Sequence, residues 1–228
     1  MLKVLSSASA AALFTLALCA PPAAASIVQN GSFETLEGPF HNTSFNYQQL
    51  GDGSTFLTGW TVTTSSGHLA LAQSPTSDGH NASDQTYFVD LSGFSDESHD
   101  GAVSQTIHTT AGATYGVSID LYNGDNGIIL VTVGGNLVNL SAGSSVTVGN
   151  DTWTTFHGAF TGDGANLNPL LKIANGKPGS DIDFIDNVSI VQTGGGNSVA
   201  EPAAWALMIL GFGGVGAMAR RARPVLAY

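Results

Sequence analysis

Basic residues are almost missing from this chain: six lysines and arginines stand against 17 aspartates and glutamates, and the formal net charge is −11 at pH 7. Four of the six lie near the ends (Lys3, Arg220, Arg221, Arg223), so the middle sets only Lys172 and Lys177 against sixteen carboxylates, a charge near −14. A surface so poor in cations cannot neutralise phosphates, which argues against nucleic acid and anionic membranes as partners and suits solubility or cation binding. Cysteine is nearly absent too. The single Cys19 falls in an N-terminal apolar run, so no disulfide staples the rest. Residues 26–199 are numerous enough to be held by one hydrophobic core instead.

Catalytic signatures are also lacking. There is no Gly-x-Ser-x-Gly elbow, and the middle of the chain has no cysteine nucleophile. The six histidines (His41, His68, His80, His99, His108, His157) show neither His-x-x-x-His spacing nor a glutamate-bearing zinc motif. His99 beside Asp96, Glu97 and Asp100 reads as an acidic surface loop. A carboxylate pair suited to glycoside hydrolysis carries little weight, because sixteen acidic residues always contain some pair. The chain is therefore read as a non-enzyme.

What is present begins with the ends. Residues 1–25 read as a secretory signal peptide: Lys3 gives the positive start, Ala8 to Ala20 the apolar run, and Ala23 and Ala25 a small-x-small cleavage site before Ser26. At the other end, residues 194–199 form a Gly-rich, uncharged spacer. Residues 200–224 then carry Glu201-Pro202, Trp205, a short apolar Gly-rich stretch and the cluster Arg220, Arg221 and Arg223. That basic stop keeps the C-terminus cytoplasmic and leaves the preceding domain outside. Trp205 to Ala219 is 15 residues, short of the ~20 of a comfortable membrane span, so it suits a temporary anchor.

The middle, residues 26–193, reads as one all-β domain. It is rich in Gly, Ser, Thr and Asn, without long helical periodicity. Tyr115, Val117, Ile119 and Leu121 alternate with Gly116, Ser118 and Asp120 and predict a half-buried strand. The apolar run Ile128 to Val133 predicts a fully buried one. Trp153 to Phe160 and Ile182 to Val191 predict two more, and Asn123 to Gly127 a turn. The stretch 38–54 reads as a loop with room for one strand.

Two resemblances attach to these residues. The C-terminal segment resembles the PEP-CTERM sorting signal in its PEPxxWA variety, with Glu201, Pro202, Trp205, Arg220 and Arg221 on the motif and Ala200 in place of its first proline. This implies processing by an exosortase after transient anchoring in the inner membrane. The middle resembles the choice-of-anchor C family of bacterial surface proteins. The matching pieces are Asn30-Gly31-Ser32-Phe33-Glu34, Gly59-Trp60-Thr61-Val62, Val89 to Gly93, Gly101 to Ile107, Gly112-Ala113-Thr114-Tyr115 and Asp186-Asn187-Val188-Ser189, in the family's order. Its opening and closing strands are also similar to those of galactose-binding-like jelly rolls, which include carbohydrate-binding modules and a plant cell-wall family. The fold implied is a jelly-roll β-sandwich, and the function implied is glycan binding at the cell surface or in the extracellular matrix.

Trp60 and Trp153 lie on strands and read as core residues rather than sugar platforms. The aromatics nearest loops or polar strand faces are Tyr122, Tyr87, Phe94 and Tyr47, with Tyr122 foremost; such rings stack on the apolar faces of sugars. The resemblance also implies a structural calcium ion shared by Glu34 and Asp186. An independent argument supports Asp186: on one regular strand it shares a face with Phe184, Val188 and Ile190, where a carboxylate is costly without a cation or N–H donors. Val28 and Phe33 cannot both face inward on one regular strand, which weakens the case for Glu34. The functional reading is an exported, non-catalytic, carbohydrate-binding surface or matrix protein. The alternatives are a structural matrix protein that binds no sugar and an exopolysaccharide hydrolase.

Overall fold

The computed structural model describes residues 25–65, 67–93, 101–123, 128–176 and 183–195. The signal peptide, the sorting segment, Phe94, the acidic loop around His99 and the turn at 124–127 lie outside the described residues. Among the described residues there are twelve strands: β1 (Tyr47–Leu50), β2 (Thr61–Thr63), β3 (Leu69–Gln73), β4 (Tyr87–Asp90), β5 (Ala102–Thr106), β6 (Thr114–Asn123), β7 (Ile129–Val133), β8 (Asn136–Leu137), β9 (Ser141–Val148), β10 (Asp151–Thr161), β11 (Leu170–Asn175) and β12 (Asp183–Gly194). They form a seven-stranded sheet in the order β1-β3-β4-β12-β6-β10-β9 and a five-stranded sheet in the order β2-β5-β11-β7-β8. Every pairing is antiparallel. This is the jelly-roll β-sandwich that the sequence leads one to expect.

The main core fills the space between the sheets, because alternate residues of each strand point there. β6 contributes Tyr115, Val117, Ile119 and Leu121, as its alternation predicts, and β11 contributes Leu171 and Ile173. Trp60 is buried in this layer, with its ring 5.5 Å from that of Phe33. The run Ile128 to Val133 behaves differently from its prediction. β7 is half-buried, with Val131 and Val133 in the core and Leu130, like Ile128 just before the strand, exposed, because the outer face of the sheet is open at this strand.

The opening motif folds as a tight loop and not as a strand. Asn30 and Phe33 both take positive φ, and the Asn30 side chain bonds the backbone of Thr35 and Thr58. Val28 and Phe33 can both be buried because strand parity does not apply here. Trp60 Nε1 donates to the Asn30 carbonyl at 2.9 Å. Gly31 lies so close to β12 that a Cβ would stand 1.8 Å from the Val188 carbonyl oxygen, so only glycine fits. On β12 a bulge follows Asp186, and Asn187 has φ 48°. The bulge breaks the regular parity assumed for this strand: Val188 and Ile190 enter the main core, whereas Phe184 packs in a second apolar cluster.

Candidate functional site

That second cluster lies on the other face of the large sheet. Ala70 and Ala72 of β3, Phe88 of β4, Phe184 of β12, Trp153 of β10 and Tyr47 of β1 are buried there, with Tyr122 of β6 packed against them. An uncovered sheet face would leave these rings in water. The β3–β4 connection, residues 74–86, covers them as a strap and contributes Ala82.

A polar strap over an apolar face needs partners for its backbone N–H groups. Carboxylates supply them. Asp151 accepts from Asn81 N at 2.6 Å and meets His80 Nδ1 at 2.8 Å, while Trp153 Nε1 donates to the Asn81 carbonyl at 2.9 Å. Asp186 Oδ2 accepts from Asp84 N at 2.9 Å and lies 3.1 Å from Ser83 Oγ. Glu34 Oε1 accepts from both Thr86 N and Tyr87 N at 2.7 Å. Ser83 Oγ also lies 2.9 Å from Asp120 Oδ2, and Asp120 takes further bonds from Thr155 Oγ1 and Asn187 Nδ2.

Asp120 and Asp186 are cross-strand partners, both buried. Among the described residues the one lysine or arginine is Lys172, and it sits on β11 in the other sheet. Burial pushes the Asp186 carboxyl up to about 8, against the lowering effect of its N–H and hydroxyl donors. A serine hydroxyl has one proton and cannot donate to two carboxylates at once. A proton on Asp186 completes the Asp120–Ser83–Asp186 set. Asp90, farther along the same face, is likewise raised to about 7 by burial, although Ser92 donates to it through N and Oγ.

The strap gathers most of the residues singled out in the sequence. Glu34 and Asp186 latch it. Tyr122 is half-buried, its ring stacked on Phe184 (5.3 Å, 21°) and 5.5 Å from His80 of the strap. Tyr87 is half-buried where the strap rejoins β4, 5.6 Å from Phe40. Tyr47 is 4 % exposed and lies 3.4 Å from the Asp78 carboxylate through its hydroxyl, so its ring has no open face. Trp153 is fully buried beneath the strap. Among the described residues, no group of three or more His, Cys, Asp or Glu side chains is arranged to hold a metal ion. His80, Ser83, Asp120 and Asp151 carry no sequence signal of this role. Residues 77–85 read only as a polar loop, and Asp120 and Asp151 are far away in the chain.

Comparison with known proteins adds a family. The model of the DUF642 family, described as a protein of unknown function, matches residues 26–190. No curated protein matches the chain. Among solved structures it is similar to the enzymatically active domain of tailspike protein 4 from bacteriophage CBA120 (17% identity, TM-score 0.41), covering 73% of this chain but only 21% of that one. It is also similar to TmCBM61, solved with beta-1,4-galactotriose (18% identity, 73% of this chain and 98% of the other, TM-score 0.41). A third similarity is to TmCBM27, a carbohydrate-binding module studied for mannan recognition (16% identity, 65% and 99%, TM-score 0.35).

Proposed function

The chain belongs to the DUF642 family, and from that premise we propose that it is an exported surface or matrix protein whose β-sandwich binds polysaccharide without catalysis. The observation that carries this reading is the border of the strap. There the half-buried ring of Tyr122 stands beside His80 of the strap, with the half-buried Asn81 next to His80 in the chain. An aromatic ring with polar groups around it is what sugar recognition requires, since the ring meets apolar C–H faces and the polar groups meet hydroxyls. The four carboxylates beneath are engaged by N–H and O–H donors of the fold, which suits a latch better than an acid–base pair.

The ends of the chain belong to the same proposal. A leader at 1–25 would export the domain, and Glu201, Pro202, Trp205, Arg220 and Arg221 would present a PEP-CTERM-type signal to an exosortase at the inner membrane. The choice-of-anchor C resemblance agrees with such a tail. A calcium ion at Glu34 and Asp186 is also proposed. Its support is a buried carboxylate without a cationic side chain, and the fact that the two residues grip the strap at Asp84 and at Thr86, two positions apart. The ion would compete with the N–H donors already there and take the place of the Asp186 proton.

A glycan array probed with the purified protein tests the binding reading. Retention on one or more polysaccharides is the expected result. An array that stays blank leaves the structural matrix protein. Release of reducing ends from a retained polysaccharide would make the protein a hydrolase and overturn the non-catalytic reading.

A further inference from the structure

On the opposite side of the molecule, the outer face of the five-stranded sheet has a different chemistry. Strand pairing aligns one residue from each strand in a single row: Thr61 of β2, Ser104 of β5, Lys172 of β11, Thr132 of β7 and Leu137 of β8. Their neighbours in sequence, Val62, Val103, Leu171, Ile173, Val131 and Val133, all point into the main core, so the row lies on the outer face, where Ser104 is buried and Thr61 and Leu137 are exposed. The rows on either side are small or apolar, with Thr63, Ala102, Ala174 and Leu130 on one side and Thr106 and Leu170 on the other. Among the described residues, no carboxylate belongs to these rows, and Lys172 is the only lysine or arginine. Among the described residues, the outward rows of this sheet therefore carry one cation and no carboxylate.

We propose that this face binds an anionic, carboxylate-bearing polysaccharide such as a polyuronate. Lys172 would pair with a uronate carboxylate, the hydroxyls of Thr61 and Thr132 would meet sugar hydroxyls, and Leu130, Leu137 and Leu170 would border the apolar faces of the sugar rings. No described carboxylate lies within ion-pair distance of Lys172, so its charge is available to a ligand. The acidic remainder of the domain repels a polyanion, but that repulsion is screened beyond about 8 Å at physiological ionic strength, whereas a contact ion pair is screened much less. The charge pattern favours a polyanion over a neutral glycan here. It also sets this face apart from the strap, which lies on the other sheet and is the site of the reading above.

Affinity electrophoresis of the full chain through gels containing alginate, with a neutral galactomannan gel in parallel, tests the assignment. The wild-type protein should be retarded by alginate, less so as salt is raised. K172Q should weaken the alginate interaction at least tenfold while its thermal unfolding midpoint stays at the wild-type value. Y122A should leave alginate binding unchanged, so that loss of strap binding and loss of this site are distinguishable. Alginate binding that persists in folded K172Q, or absence of alginate binding by the wild type, overturns the proposal. So does a Lys172-dependent dimer in sedimentation without polysaccharide, which would assign the face to a second, acidic copy of the chain.

Discussion

Asp120 on β6 and Asp186 on β12 stand opposite each other across two paired strands, and both carboxylates converge on the hydroxyl of Ser83. This arrangement ties the middle of the sheet to the strap that covers its outer face. It also brings two carboxylates together where the described residues offer no lysine or arginine in compensation. The strap is therefore held by groups whose charge state matters, and Tyr122 stands at the border of the covered area.

The latch at Asp151 has a measurable weight. Replacing Asp151 by Ala leaves Asn81 N–H and the His80 ring without their acceptor under a covered surface. An orphaned buried donor costs about 1–3 kcal/mol, so D151A should lower the unfolding free energy by that amount in a chemical denaturation experiment. Wild-type stability in D151A would mean that the Asp151 latch contributes nothing measurable beside the apolar contacts and the other carboxylates.

Stability should depend on pH with an unusual sign. Asp186 and Asp90 have folded-state values raised to about 8 and about 7, in each case chiefly by burial. The folded protein retains protons that the unfolded chain releases above about pH 4. The stability they provide is full below that point and is lost as pH rises through 7 to 8. Without divalent ions, the melting temperature should fall between pH 5.5 and 8.5, and D186N, which mimics the protonated acid, should flatten the curve. A wild-type midpoint that rises across this window would contradict the assignment.

How far these features could be read from the sequence differs between the two faces of the large sheet. The inner face followed from period-two alternation, as in Tyr115 to Leu121, and both tryptophans emerged as core residues. The outer face did not. Trp153 needs a cover 72 residues away, at Asn81, and no local pattern encodes that pairing. Asp186 attracted attention because a carboxylate on an apolar face is costly, yet the parity argument failed at the bulge beside Asn187. The apolar run Ile128 to Val133 predicts full burial, but such a run carries no information about whether both faces of its sheet are covered. The strap residues 77–86 look like any polar loop, since their partners come from four other strands and the opening loop.

Calcium reverses the pH effect if it binds where proposed. Ion binding requires ionised Glu34 and Asp186, so it should stabilise most at pH 8, where the Asp186 proton is being lost. At about 100 times the dissociation constant, the gain is roughly 2.7 kcal/mol. Calorimetry of EDTA-treated protein with and without added calcium should show the midpoint rise in the wild type and not in D186N. An unchanged midpoint after demonstrated metal removal, or a response that survives in D186N, would remove calcium from the account.

Processing at both ends can be read by mass. Protein recovered from an exosortase-positive host should begin near Ser26 and lack the segment beyond about Glu201-Pro202. The double substitution E201A/P202A should accumulate unprocessed in the inner membrane. A full-length tail in mature wild-type protein would refute the sorting proposal.

The central claim is that the sandwich binds polysaccharide at the border of the strap, through Tyr122. Isothermal titration of the wild type and Y122A with the neutral polysaccharide best retained on a glycan array tests this directly, with the unfolding midpoint of each protein measured in the same buffer. Saturable binding by the wild type and loss of most of that affinity in a folded Y122A are the expected results. Equal affinity in the two proteins, or no heat of binding from the wild type, would contradict the claim.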